Sequence, residues 1–307
     1  MKIRFIVNPM AGGGNKTAEI TEVVREVFAD EHGLFDIKAT KKPGDAYRYA
    51  KDAVERGFGT VYACGGDGTV NEVASALTGS AAALGIVATG RGNGLADALG
   101  LPRDPAAAMR LALKGATRKV DAGTIEGRYF FSSVSFAFEA FLDRRAGAEG
   151  RRGAASCMPL ALWWFLAYRP ARVAIRWKEN RLRATPFVLT VANTERLGGG
   201  TRAAPGARPD DGLLDLCLLP QAGLRETARS IALLYGGSIE EARGFRRIRA
   251  ASLEIERDRP GPIHIDGEPV DCADRVRIET APRALNVLAA EPGAPCAAPD
   301  GGHNESR

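Results

Sequence analysis

The stretch Ala63–Leu77, ACGGDGTVNEVASAL, decides the reading of this chain. It follows the apolar run Thr60–Tyr62 and reads as a strand that ends in a glycine-rich turn and enters a helix. Amides and dipole at such a helix start attract phosphate, yet Asp67 stands in the turn and would repel a bare one. A hard divalent cation between them reconciles the two, because magnesium combines few carboxylates with phosphate oxygens and water. The plain structural alternative is an Asx-type bond that stabilises the turn. Gly65, Gly66 and Gly68 permit φ > 0 and let a ligand approach the backbone where a β-carbon would collide. Thr69 and Glu72 have the spacing of a capping box, worth about 1 kcal/mol, and we rank that role above ligand binding for Glu72.

Working outward, strand and helix alternate. IRFIVNP at 3–9 and LFDIKAT at 34–40 are short apolar strands, and TVYAC and ALGIVAT are two more, each running into a glycine-rich turn. Between them Ile20, Val23, Val24, Val27 and then Ala46, Tyr49, Ala50, Ala53 recur at helical spacing. Asp104 as N-cap, Pro105 at the first helical position and Gly115 beyond the end punctuate a further helix. Repeated strand–helix units imply a doubly wound, mostly parallel sheet with helices on both faces. We place this α/β nucleotide-binding domain at 1–120, with ligand expected beyond the carboxyl ends of its strands.

After about Val120 the chain turns to short strands, such as RYFFSSVSFAF, ARVAIRWKENRLRA, PFVLTVANT and GPIHIDGEPV. Alternation like Val173, Ile175, Trp177 marks half-buried strands. The region 121–280 therefore reads as an antiparallel β-sandwich that takes the acceptor, with helical insertions near Met158–Tyr168 and Leu224–Leu234. A segment at about 281–290 is expected to pack back on the first domain. The Pro/Gly/Ala-rich tail 291–307 is expected to be disordered.

A length of 307 residues suits two domains. The five cysteines are scattered and odd in number, which argues against a disulfide framework or zinc site and for a reducing compartment. No apolar run reaches the roughly 18 residues of a membrane span, and the N-terminus does not read as a signal peptide. A cytoplasmic location with peripheral membrane contact is expected. The net charge of +5 is too mild to imply nucleic acid. Basic residues around LALWWFLAYRP, among them Arg172, Arg176, Lys178, Arg181 and Arg183, suit an anionic membrane or simply a solvated face. Trp163, Trp164 and Phe165 in that segment read as a buried helix ahead of a lipid gate.

The blocks NPMAGGGN, GGDGTVNEV, GRGNGLADALGLP, VDAGTIEGRYF, GGGTRAAPGARPDDGLLDL and IDGEP occur in the order found in the diacylglycerol kinase catalytic superfamily, which the chain resembles nearly to Ala290. The resemblance implies an NAD-kinase/phosphofructokinase-like α/β domain joined to a β-sandwich, and an ATP- and Mg²⁺-dependent lipid kinase. It implies nucleotide contacts from Asn8, Gly12, Gly13, Thr40, Gly65, Gly66, Asp67, Gly68, Thr69 and Asn71, and from Arg91 and Asn93. It makes Glu268 the proton acceptor, puts Asp121 near metal and substrate, and gives Asp211, with the carbonyls of Arg208 and Leu213, a structural cation. The expected partner is a lipid at a membrane surface, not nucleic acid, with a homodimer left open. Two departures stand out. Gly94 replaces an acid in the GRGNGLA block, where Arg91 also replaces a threonine, and Glu139 follows Ala137 where relatives show G-F-D-A. The GNGLA form looks closer to sphingosine and ceramide kinases. An NAD-kinase-like phosphotransferase on a soluble alcohol and a non-catalytic nucleotide-binding regulator are the alternative readings.

Overall fold

The structure, a computed structural model, describes residues 1–13, 16–90, 93–114, 116–136, 170–196 and 202–289. Strands β1 (Lys2–Val7), β2 (Leu34–Ala39), β3 (Thr60–Gly65) and β4 (Ala83–Ala88) lie in the order β2-β1-β3-β4, all parallel. The order reverses between β1 and β3, which is where a doubly wound sheet opens its ligand crevice. Helices α1 (Lys16–Val27), α2 (Asp45–Glu55) and α3 (Asp67–Leu77) connect them, followed by α4 (Gly94–Ala98) and α5 (Pro105–Lys114). Their apolar stripes are buried as the periodicity demands: Ile20 and Val24 on α1, and Ala46, Ala50 and Ala53 on α2. Asp104 caps α5 through the Ala107 amide at 2.7 Å.

The remaining described elements form an antiparallel sandwich fused to that sheet. β5 (Thr117–Ile125) pairs with the long β16 (Arg275–Leu288), whose end also pairs parallel with β4. Through β16 the sheet continues into β13 (Ser252–Arg257), β8 (Val173–Trp177) and β9 (Asn180–Ala184), giving ten strands in all with β6 (Arg128–Phe130). The facing six-stranded sheet runs in the order β12-β11-β10-β7-β14-β15. Its strands are β7 (Ser133–Ser135), β10 (Pro186–Ala192), β11 (Leu214–Pro220), β12 (Arg246–Ala250), β14 (Gly261–Ile265) and β15 (Glu268–Cys272). Ile175, Leu253 and Ile278 of one sheet meet Leu189, Leu216 and Ile263 of the other in a common core. Helix α6 (Leu224–Gly236) lays Ile231 and Leu234 on the outside of the second sheet, against Phe187 and Leu219.

Several of these β-rich runs divide into two strands. RYFFSSVSF divides at Phe131–Ser132, so that β6 serves one sheet and β7 the other. GPIHIDGEPV is a hairpin whose Asp266-Gly267 turn has φ of 47° and 84°, the primed geometry for which Asp-Gly is suited. The β8–β9 hairpin likewise turns at Lys178, φ 49°. Strand β12, with three arginines in its five residues, carries too little apolar signal to be read from sequence. Among the described residues no helix is long and apolar enough to cross a membrane. The Met158–Tyr168 helix, its tryptophans and the tail 291–307 lie outside the described residues.

Candidate functional site

Four strands of the parallel sheet end together. Beyond them Asn8 donates its amide to Cys64 O at 2.9 Å, Thr40 to Val7 O at 2.9 Å and Thr89 to Gly65 O at 3.2 Å. The sheet ladder thus carries these residues to one edge, around a cleft of about 310 Å³. Asn8, Thr40, Lys41, Lys42, Gly66, Gly68, Thr69, Glu72 and Glu268 are among its lining residues. The N-terminus of α3 begins at Gly66 and Asp67 on this edge, so its free amides face a site suited to an anion. The exposed lysines 41 and 42 add positive charge across from it.

The glycines of the turn do not use their freedom to adopt positive φ. None of Gly65, Gly66 or Gly68 has positive φ; Gly65 and Gly68 are needed for space instead. A β-carbon on Gly65 would lie 2.5 Å from Thr69 Oγ1, and one on Gly68 would lie 2.6 Å from Glu268 Oε1. Only at Gly66 is there open room, with Gly90 Cα 3.9 Å away as its nearest neighbour. Gly12 does adopt φ 68°, and a β-carbon there would meet Thr89 O at 2.2 Å. Gly13 closes the same 3-10 turn.

Capping differs from the expectation. Helix α3 starts two residues before Thr69, which therefore sits inside the first turn, buried and within 3.4 Å of Asn8 Nδ2. Glu72 does not reach back to its own helix. Its carboxylate accepts from the Gly44, Ala46 and Tyr47 amides at 2.8, 3.0 and 3.2 Å, and so holds the N-terminus of α2. Asp45 accepts from Lys41 and Lys42 amides and fixes the preceding loop. The lysine-bearing wall of the cleft is thereby tied to α3.

Asp67 Oδ1 accepts the Gly94 amide at 2.9 Å. Burial, opposed by that bond and reinforced by the negative charge of Asp266 and Asp97, pushes its carboxyl up to about 6. A carboxylate in a negative neighbourhood, with no arginine or lysine partner among the described residues, fits a hard cation. Nearby, Asn93 caps α4 through Oδ1 to the Ala96 amide at 3.1 Å, while its buried Nδ2 has no hydrogen-bond partner among the described residues. Thr89 Oγ1 is likewise buried and unpartnered there. Two orphaned polar groups beside a glycine turn fit phosphate oxygens, since such groups are costly to leave unpaired. Gly94 has a structural cause: a β-carbon there would lie 2.7 Å from Ser132 Oγ and 2.8 Å from Arg196 O, so a side chain at this position requires its neighbours to shift.

Glu268, the first residue of β15, reaches the cleft from the second sheet. Burial, followed by repulsion from Glu72 and Asp266, raises its carboxyl above the usual value, and Arg128 partly opposes this. Its hairpin is placed by Asp266, a residue of the IDGEP block to which sequence reasoning assigns no role. That buried carboxylate accepts the Phe131, Ser132 and Ser133 amides at 2.8 to 2.9 Å and Asn71 Nδ2 at 2.7 Å. It satisfies the amides exposed where the chain crosses between sheets and joins that crossing to α3. Asn71, expected at the nucleotide, also donates to Tyr129 O at 3.0 Å; it braces the two halves of the molecule and does not line the cleft.

Asp121 is similarly internal. It is 1% exposed, and its oxygens accept the Gly212 amide at 2.6 Å and the Arg283 amide at 2.7 Å. This knots the DDG loop to the irregular middle of β16 and keeps Asp121 out of the cleft. In that loop Asp211 accepts the Leu213 amide at 3.1 Å and is ion-paired with Arg249. Asp210 is held by Arg118 at 3.2 Å and, with the Arg208 side chain, completes a cluster of paired charges. Each Asp211 oxygen has one such contact and keeps further lone pairs, so these contacts neither support nor oppose the expected cation held by Asp211 with the carbonyls of Arg208 and Leu213. Among the described residues no group of three or more His, Cys, Asp or Glu is arranged to hold a metal. Arg91, Ala137 and Glu139 lie outside the described residues.

Known proteins resemble this chain in sequence and in fold. Residues 2–125 match the family model of the diacylglycerol kinase catalytic domain, and residues 132–289 match that of the YegS C-terminal NAD kinase beta sandwich-like domain. A probable lipid kinase YegS-like of Chromohalobacter salexigens is 34% identical over 290 residues, covering 91% of each chain. Its counterpart in Pseudomonas aeruginosa is 31% identical over 290 residues, covering 93% of each. A solved structure of a putative diacylglycerol kinase from Bacillus anthracis shares the fold, with a TM-score of 0.76 at 23% identity over 94% of this chain and 95% of that one.

Proposed function

Because the chain belongs to the family defined by the diacylglycerol kinase catalytic domain and the YegS C-terminal domain, we propose that it is a lipid kinase moving the γ-phosphate of ATP to a hydroxyl of a diacylglycerol-like or sphingoid lipid. The observation that carries this reading is the contact between Gly68 and Glu268. It sets a carboxylate with a raised affinity for protons directly on the turn that receives phosphate.

Phosphoryl transfer demands little covalent chemistry from a protein; it demands position and charge. The α3 N-terminus, with Asn93 Nδ2 and Thr89 Oγ1, offers donors to the phosphates, and Lys41 and Lys42 border the path. Asp67 would hold magnesium, which when bound neutralises charge on the phosphate oxygens. Glu268 accepts the proton of the acceptor hydroxyl. Its elevated proton affinity brings it closer to the working pH than an ordinary carboxylate, which favours general-base action. Asp266 and Asn71 keep base and phosphate turn in register.

The test is incubation with ATP, magnesium and a panel of diacylglycerols, sphingoid bases and soluble alcohols including NAD, followed by mass spectrometry. A phosphorylated lipid supports the reading. A phosphorylated nucleotide, or no product despite ATP binding, defeats it.

A further inference from the structure

We propose that the outer face of the ten-stranded sheet, at its β8–β9 edge, docks the protein on a membrane surface bearing anionic phospholipid headgroups. The register fixes which side chains share that face. One row across β9, β8, β13 and β16 reads Arg181, Arg176, Glu254, Arg277, and the next reads Arg183, Ala174, Glu256, Arg275. The opposite face, with Val173, Ile175, Leu253 and Ile278, is the sandwich core.

The acids of this face are already engaged. Arg176 pairs with Glu254 at 3.0 Å and with Glu256 at 3.5 Å, and Arg275 also reaches Glu256 at 3.2 Å. Among the described residues Arg181 and Arg183 are exposed and have no carboxylate partner. Moreover, Arg181 stands directly opposite Arg176 in the ladder, a like-charge pairing that destabilises a sheet. Folding alone gives no reason for it. Protection of an edge strand from pairing explains a charge on β9, but a charge of either sign would serve, and Glu at 181 would also satisfy Arg176. Beside the pair opens a groove of about 530 Å³ bordered by Arg176, Trp177, Lys178, Ser252, Glu254 and Arg277. Lys178 at the hairpin tip adds a further exposed cation beside this groove, while Trp177, on the other side of β8, packs toward the sandwich core. A second copy added at β9 would bring Arg181 and Arg183 against their own counterparts, so charge complementarity favours an anionic surface.

The experiment is co-sedimentation of the full chain with phosphatidylglycerol-containing vesicles and with neutral phosphatidylcholine vesicles. Arg181→Gln/Arg183→Gln removes two exposed cations without touching the core. The unchanged chain should bind the anionic vesicles only, salt should weaken that binding, and the double variant should lower partitioning roughly thirty-fold. Arg181→Lys/Arg183→Lys should restore most of it. Equal binding to neutral vesicles, undiminished binding of the glutamine variant, or preference for duplex DNA at the same ionic strength would overturn the proposal. Turnover of lipid in neutral detergent micelles separates this from the kinase reading. Docking lost with micellar turnover intact supports the surface, whereas vesicle binding that persists in a chain with no lipid kinase activity leaves the surface standing and removes the kinase.

Discussion

The carboxylate of Glu268 rests against the α-carbon of Gly68, so close that a β-carbon there would lie 2.6 Å from Oε1. One residue belongs to the helix start beyond the parallel sheet and the other to a strand of the second sheet, and most of the chain separates them. Gly68 is thus required by the residue that faces it, within the first turn of α3. Gly68→Ala should leave thermal stability unchanged or slightly raised, because alanine is about 1 kcal/mol better than glycine in a helix and the obstructing atom ends a flexible side chain. The added methyl displaces Glu268, so turnover should fall by about 100-fold or more, in line with a misplaced general base. A thermal melt beside steady-state kinetics checks both halves.

Asp67 links stability to pH. Its carboxyl titrates near 6 when folded, above its unfolded value of 3.8, so the protonated form is preferred by the fold. Between those values the folded state holds more protons than the unfolded one, and stability falls as pH rises through that window. In metal-free buffer at neutral pH, Asp67→Asn should therefore raise stability, by about 1 to 3 kcal/mol, while removing phosphate transfer. Turnover of the unchanged protein should decline as pH falls toward acid, because the Glu268 carboxyl, raised above its usual range by burial, then takes up its proton and can no longer act as a base. Denaturant melts at pH 5 and 7.5, with a pH–rate profile, measure this.

Much of this was legible in the chain itself. The parallel character of the first sheet follows from short apolar runs alternating with helical stripes, and the Asp-Gly pair at 266–267 signals its hairpin because few residues tolerate both positive φ values. What stayed hidden depends on partners distant in sequence. Glu72 has capping-box spacing with Thr69, yet the amides it satisfies belong to α2, and no local pattern distinguishes the two. Asp266 is explained by amides at Phe131, Ser132 and Ser133, whose exposure arises only because the chain changes sheets there. Gly94 looked like a lost acid; it is a position crowded by Ser132 and Arg196, where a side chain requires them to shift.

Glu72→Ala removes a charged acceptor from three amides at the start of α2. The loss should destabilise the protein by about 1 to 2 kcal/mol and loosen the Lys41–Lys42 wall, raising KM for nucleotide more than it lowers kcat. Glu72→Gln, which keeps one acceptor, should fall between. Calorimetry and kinetics on both variants test the order.

The DDG loop makes a prediction about metal removal. With Arg249 paired to Asp211, chelation by EDTA should leave the melting temperature of the unchanged protein where it is. Arg249→Leu uncovers the carboxylate, lowers the melting temperature, and should make it respond to millimolar magnesium. A chelator-induced drop that persists in Asp67→Asn, where the cleft carboxylate is gone, would show that a cation, and not the arginine, holds the loop.

The central claim is that one cleft joins a phosphate-binding turn to a carboxylate base, and Glu268→Gln tests it most directly. The amide preserves shape and abolishes proton acceptance. Nucleotide affinity by titration calorimetry should change less than about threefold while phosphorylated lipid falls by at least about 100-fold. Turnover close to that of the unchanged protein would contradict the account.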